Sequence, residues 1–215
     1  MDYGPKIIVW NVRGLNTRAR RTAIRSLIVS TDASIVCFQE TKMEFIHMST
    51  VLETLGSDFD DYVYLPAIGT RGGILLAWKS RMVTVDNHMF SPNTLTTQVS
   101  TPSSVDAPWW LTIVYGPQQD QEKIAFLQEI RDVRANCDGP WMLCGDFNLI
   151  YRDEDKNNGN INRRMMGRFR RVINVLALKE VYLNGRRYTW SNEQTPPTPV
   201  HLNRVLCTAD WEERH

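Results

Sequence analysis

Five polar side chains in this sequence stand at the ends of short apolar runs. Asn11 follows Ile7-Ile8-Val9-Trp10, and Glu40 follows Ser34 to Phe38 and Gln39. Tyr115 follows Leu111 to Val114, and Asp146 with Asn148 follows Trp141 to Cys144 and Gly145. Each run reads as a β-strand. Buried strands that all end in a carboxylate, an amide or a phenol imply a polar site assembled along one edge of a sheet. That is how a metal-assisted hydrolase is built.

The chemistry is most explicit at Gly145-Asp146-Phe147-Asn148. In an extended segment residues two apart point the same way, so Asp146 and Asn148 would share a cavity while Phe147 turns into the core. A carboxylate there can take a proton from water, and the amide can hold that water or a phosphoryl oxygen. Gly, Asp and Asn also favour turns, so a plain turn is the alternative reading, and taken alone the favoured one, of the same residues. Glu40 alone is an ordinary strand-end acid; with a second carboxylate it suits a hard cation such as Mg²⁺, held by one or two carboxylates plus waters and phosphate oxygens. Tyr115, before Gly116-Pro117, is either a packing residue or a hydrogen-bond donor to phosphate.

The elements that must position these groups alternate between strand-like and helix-like, the pattern of an α/β protein. Helical spacing covers Leu15 to Ser30 with Thr17 as N-cap, Phe45 to Leu55, Asp120 to Ala135 with Asp120 as cap, and Arg164 to Leu176. Tyr62–Leu65, Ile74–Trp78, Met82–Asp86 and Thr94–Ser100 read as successive antiparallel strands joined by turns, and 153–162 as a loop. At 215 residues and 42% hydrophobic content, one domain is expected over 1–215.

Charge is balanced at 25 Lys+Arg against 24 Asp+Glu, so net charge neither favours nor opposes a polyanionic partner. Arginines gather at 13–25 and 163–171, either as solvated helix faces or as phosphate contacts. Cys37, Cys137, Cys144 and Cys207 lack a paired metal-binding spacing and read as buried thiols of a reducing compartment. An intracellular protein, nuclear and/or cytoplasmic, is expected, with no membrane span and no leader.

Taken in order, Trp10-Asn11-Val12-Arg13-Gly14-Leu15, Gln39-Glu40-Thr41-Lys42, Gly72-Gly73-Ile74 through Trp78, Tyr115-Gly116-Pro117, Gly145 to Asn148, Tyr188-Thr189-Trp190-Ser191-Asn192 and Leu202 to Leu206 resemble the endonuclease/exonuclease/phosphatase superfamily. This is the group of deoxyribonuclease I and the apurinic endonucleases, and the nearest resemblance is to the endonuclease domain of plant LINE-type retrotransposons. The resemblance implies an α/β, four-layer sandwich of two packed mixed sheets with helices outside. It also implies a Mg²⁺ or Mn²⁺ cofactor and nucleic acid, DNA foremost, as substrate. By the same carry-over Glu40 and Asn11 are metal residues. Asp146, Asn148, Tyr115 and Asn203 are catalytic, and Arg13, Trp190, Arg186 and Arg187 contact substrate. For Trp190 a place in the core is an equal alternative.

Two departures accompany the resemblance. Asn203 stands where the family has the aspartate that orients a catalytic histidine. In an analogous Asp–His pair of a serine protease that exchange costs ~10⁴ in turnover. The family's last strand, bearing Ser-Asp-His, is expected to be lacking after Trp211 to Arg214, and His47, His88, His201 and His215 are no counterpart. Weak nicking is therefore expected, or a retrotransposon-derived pseudoenzyme that binds nucleic acid or protein. The strand at Lys6 to Trp10 is expected to be left with an unpaired edge, so that the domain is marginally stable or a protein partner or a neighbouring segment covers it.

Overall fold

Parallel neighbours cannot be joined by a tight turn, so each parallel strand pair here brackets a crossover helix. In the first unit β1 (Ile7–Asn11), α1 (Arg18–Val29) and β2 (Ile35–Gln39) follow one another. In the second, β7 (Trp109–Tyr115), α3 (Asp120–Ala135) and β8 (Trp141–Asp146) do the same. The computed structural model describes residues 4–69, 71–102, 107–158, 160–181, 188–192, 195 and 197–215. Within each unit the two strands end at the same rim, which places Asn11 beside Gln39 and Tyr115 beside Asp146.

The remaining elements are α2 (Met48–Leu55), β3 (Asp61–Ile68), β4 (Arg71–Trp78), β5 (Thr84–Phe90), β6 (Thr94–Ser100), α4 (Arg163–Val175), β9 (Lys179–Glu180), β10 (Trp190–Ser191), β11 (Pro199–Val200), β12 (Asn203–Cys207) and α5 (Ala209–Glu212). They complete a four-stranded sheet, β1-β2-β4-β3, and a six-stranded sheet, β5-β6-β7-β8-β12-β9, with a small β10-β11 hairpin. Both larger sheets are mixed, since only β1/β2 and β7/β8 run parallel.

Alternation along the strands explains the layering. In β2, Ile35 and Cys37 join the core between the sheets, while Val36 and Phe38 pack under α1 and α2 with Ile24, Ile28, Val51 and Leu55. In β8, Met142 and Cys144 face the other sheet, while Trp141 and Leu143 meet Phe126 and Ile130 of α3 and Phe169 and Val172 of α4. Both faces of these strands are covered, so they read as unbroken apolar runs. The result is the expected α/β sandwich, with two mixed sheets packed face to face and helices outside. Thr17 caps α1 by accepting from the Arg20 amide at 3.4 Å. All four cysteines are free and buried. Among the described residues no helix is long and apolar enough to cross a membrane.

Several expectations need correction. The strands 62–65, 74–78, 82–86 and 94–100 do not form one antiparallel series. β3 and β4 pair in the smaller sheet, whereas β5 and β6 pair in the larger one. Apolar alternation is the same in either sheet, so the crossing between β4 and β5 left no local trace. Asp120 is not the cap of α3. Gln119 holds that position, and Asp120 in the first turn accepts from Lys123 at 3.0 Å and Asn162 at 2.7 Å. The 153–162 loop contains a 3₁₀ turn, Asp153–Asp155. Among the described residues β1 pairs with β2 alone, which makes it an edge strand.

Charged side chains divide between surface ion pairs and one buried cluster. Arg21 meets Glu53 at 2.8 Å, Arg163 meets Asp153 at 3.0 Å, and Arg81 meets Asp58 at 3.2 Å. The most buried of these groups is Arg204 of β12, 2% exposed, which donates to Asp155, to Glu180 and to the His201 carbonyl while its guanidinium lies over the Tyr151 ring. Asp155 in turn accepts the Tyr151 and Arg152 amides, both at 2.8 Å, so one arginine ties the 151–155 turn to β12 and β9.

Removing one partner of a buried ion cluster leaves the other charges uncompensated. Arg204→Met is therefore expected to cost about 3–5 kcal/mol in a urea or thermal melt. A loss below ~1 kcal/mol, the range of exposed ion pairs, would show that water reaches this cluster.

Candidate functional site

The two rims meet where Asn11, at the end of β1, donates from Nδ2 to Asp146 Oδ2 at 3.0 Å across the gap between the sheets. Asn11 Oδ1 accepts the Arg13 amide at 3.2 Å, which fixes which way its carboxamide points. Glu40 lies just beyond β2, close enough to Asp146 and Tyr115 for its charge to act on both. Asn203, first residue of β12, is paired opposite Asp146. Asn11, Glu40, Tyr115, Asp146 and Asn203 are thus brought together from five strands of two sheets.

Asp146 is 4% exposed. Burial raises its carboxyl above the ordinary range; the hydrogen bonds from Asn11 and the Asn148 amide oppose this, and the Glu40 charge adds to it. Tyr115 is pushed up further, first by burial and then by the Glu40 and Asp146 charges, so its phenol stays protonated and acts as a donor. Asn148 departs from the extended geometry expected of it. Its φ is +50°, its amide donates to Asp146 Oδ1 at 3.0 Å, and its Nδ2 donates to the Gly116 carbonyl at 2.7 Å. The turn and the polar site, alternatives in the sequence, are one structure here. Phe147 is buried as expected, against Phe126 and Phe169.

Backbone strain gathers at this rim. Among the described residues seven non-glycine residues have positive φ, and four of them are Arg13, Glu40, Lys42 and Asn148. Such conformations cost free energy and persist only where surrounding structure imposes them, which marks functional sites. Gly145, at φ +132°, allows β8 to approach β7, because a Cβ there would strike the Val114 carbonyl.

Two clefts open from the rim. One, of about 560 Å³, is lined by Arg13, Arg20, Glu40, Lys42, Gln118 and Trp190 among others. The other, of about 500 Å³, has Asp146, Asn203, Trp10, Ile24, Leu27 and Trp190 in its walls. Trp190 lines both clefts and is 37% exposed, so it is not the core tryptophan of the alternative reading. Arg13 also lines both clefts, whereas Arg186 and Arg187 fall outside the described residues. Lys42, the last residue of the Gln39–Lys42 motif, forms an ion pair with Glu40 at 3.0 Å. Its only sequence signal was adjacency to Glu40.

No histidine lines either cleft among the described residues. His47 is the N-cap residue of α2, and His88 meets Thr97 at 3.1 Å. His201 lies 3.8 Å from Glu180, and His215 packs at a tilt against the Trp211 ring. Among the described residues no cluster of three or more His, Cys, Asp or Glu converges either. Glu40 and Asp146, with the Asn11 carboxamide, are all-oxygen donors. They fit a hard cation that keeps waters or phosphate oxygens in its shell, and the Lys42 ammonium already stands in as a cation on Glu40.

The sequence profile described as the Endonuclease/Exonuclease/phosphatase family matches residues 8–215. An exodeoxyribonuclease of Bacillus subtilis (strain 168) is 25% identical over an alignment of 176 residues that covers 75% of this chain and 66% of that protein. The chain thus spans just under two thirds of the length of this relative. Among solved structures, the AP endonuclease LMAP from Leishmania major is similar with a TM-score of 0.74 at 17% identity, covering 96% of this chain and 79% of that one. A 3′ phosphatase, NExo from Neisseria, bound to product DNA hairpin, gives 0.71 at 17% identity over 96% and 87%. The endonuclease domain of TRAS1, a telomere-specific non-LTR retrotransposon, gives 0.70 at 13% over 97% and 87%. At these identities the structural likeness establishes the fold.

The direction of the Asp146 shift has a measurable consequence for stability. Its folded state holds the proton more tightly than the unfolded chain. The stability it contributes is therefore full below the ordinary carboxylate range and is lost as pH rises through the raised value. In metal-free buffer the melting temperature of Asp146→Asn is expected to gain on the parent between about pH 3.5 and pH 7. A constant difference across that window would show that burial of this carboxylate carries no charge cost.

Proposed function

Because the chain belongs to the endonuclease/exonuclease/phosphatase family, we propose that it is a divalent-metal-dependent phosphodiester endonuclease that nicks DNA. The observation that carries this reading is the convergence of Asn11, Glu40, Tyr115 and Asp146 at one rim, locked by the 3.0 Å bond from Asn11 to Asp146. The whole of residues 1–215 is read as one catalytic domain.

Glu40, with Asn11 and Asp146 beside it, would hold Mg²⁺ or Mn²⁺. When bound, such a cation polarises a phosphoryl oxygen and stabilises charge on the leaving oxygen. The chain's own groups do the rest. Asp146 has one lone-pair direction on each oxygen committed to Asn11 or Asn148, which leaves the others to accept from an attacking water; its raised proton affinity suits it as the base. Asn148, one N–H fixed on Gly116, keeps its second N–H and its oxygen for the phosphate or the water. Tyr115, held protonated, donates toward the phosphate. Arg13 supplies a guanidinium to the substrate backbone and Trp190 an exposed ring for a sugar or base.

A second reading, a weak or inactive relative of retrotransposon endonucleases that serves as a nucleic-acid-binding module, is favoured by one feature. Asn203 Oδ1 is buried without a hydrogen-bond partner among the described residues, next to Asp146, where the resemblance implies an aspartate orienting a histidine. In this reading the open edge of β1 would take a protein segment as an added strand.

Plasmid nicking with Mg²⁺ or Mn²⁺, run beside EDTA, separates the readings. Asp146→Asn is expected to lower the rate ~10²–10⁴-fold, the usual contribution of a positioned base. Glu40→Gln is expected to raise the metal concentration required. If the double variant nicks as fast as the parent, the endonuclease reading fails. A gel shift that weakens as salt rises, without metal-dependent cleavage, would establish the binding module instead.

A further inference from the structure

We propose that Lys42 is an exchangeable counter-ion of Glu40: a divalent cation arriving on that carboxylate releases the ammonium, which then meets a substrate phosphate in the cleft. The proposal rests on the metal site read above and assigns a phosphate-binding role to a residue that had none.

The backbone sets up the pair. Glu40 and Lys42 both have positive φ, +57° and +55°, on either side of the fully buried Thr41. Thr41 and Lys42 donate their amides to Gly73 and Gly72 at 3.1 and 3.0 Å, so the chain cannot swing the two side chains apart. What remains free is the lysine stem, four carbons long and 34% exposed, against a carboxylate 19% exposed. Its ammonium sits 3.0 Å from Glu40 Oε1 and lines the 560 Å³ cleft with Arg13, Arg20, Gln118 and Trp190.

The other cations of the cleft are differently engaged. Arg20 donates to the Arg13 carbonyl, and the Arg13 charge acts on Asp146. Among the described residues Lys42 is the cation that forms an ion pair with Glu40. A divalent cation at ~2.1 Å from the same oxygen attracts it roughly threefold more strongly than a single charge at 3.0 Å, and it repels the ammonium at close range. The displaced ammonium remains in a cleft already lined by arginine. Phosphate binding there keeps Lys42 off Glu40, so metal and phosphate each favour the other, as linkage requires.

The test follows Lys42 in the intact chain by NMR of the lysine Nζ and Cε and the glutamate Cδ during a Mg²⁺ titration without DNA. Lys42 and Glu40 are expected to shift with one midpoint, and Lys42 is expected to move toward the position it holds without metal in Glu40→Gln. Mn²⁺ affinity, measured calorimetrically, is expected to tighten about tenfold in Lys42→Met. In Arg13→Met, which removes a cation from the same cleft without freeing Glu40, it is expected to tighten no more than about threefold, a screened field effect. A Glu40 response with Lys42 unmoved overturns the exchange and leaves the metal site standing. Equal tightening in both variants also overturns it, as a field effect only. Silence at both residues removes the metal site and the exchange together.

Discussion

The hydrogen bond from Asn11 to Asp146 joins two sheets whose strands are 135 residues apart in the chain, and the polar rim exists only because the sheets meet there. Each crossover unit delivers two strand ends to one side, β1 and β2 in the smaller sheet, β7 and β8 in the larger. Face-to-face packing through Ile35, Cys37, Leu76, Leu111, Ile113 and Cys144 then brings the two rims into register.

That position has electrostatic consequences. Asp146 is buried close to a second carboxylate, so its proton affinity rises, and Asn11 and Asn148 hold its oxygens in place. Glu40, less buried, is neutralised by Lys42. The left-handed backbone at Arg13, Glu40, Lys42 and Asn148 is the conformational counterpart of this crowding, strain tolerated because the sheet below over-determines it. A divalent cation and the resident lysine would compete for the Glu40 carboxylate, and an arriving phosphate would take the released lysine, which couples cofactor and substrate binding through one side chain.

Much of this was legible in the residues. The helix at Asp120–Ala135 and the strand at Thr94–Ser100 have the bounds that periodicity indicated, and Thr17 caps its helix. The misreadings share a cause. Alternating apolar residues state that a strand has a covered face without stating which sheet covers it, so β3–β4 and β5–β6 were merged into one series. Asp120 has the chemistry of a cap but spends its carboxylate on Lys123 and Asn162. Alternation does not apply at Asn148, whose backbone is left-handed rather than extended and whose carboxamide donates to the Gly116 carbonyl. Arg204 gave no sign of its buried ion cluster, since a buried charge and an exposed one look alike in a sequence.

What the sequence by itself determined is local: which runs are covered on both faces, where they stop, and which carboxylates, amides and phenol stand at the stops. Those features depend on neighbours a few residues away, through strand and helix periodicity. Tertiary structure alone decided that Asn11 meets Asp146, that Trp190 is exposed between two clefts, and that Glu40 is held by Lys42. Such pairings arise from the collective packing of two sheets, and no short-range pattern of residue types encodes the distance between elements so far apart in the chain.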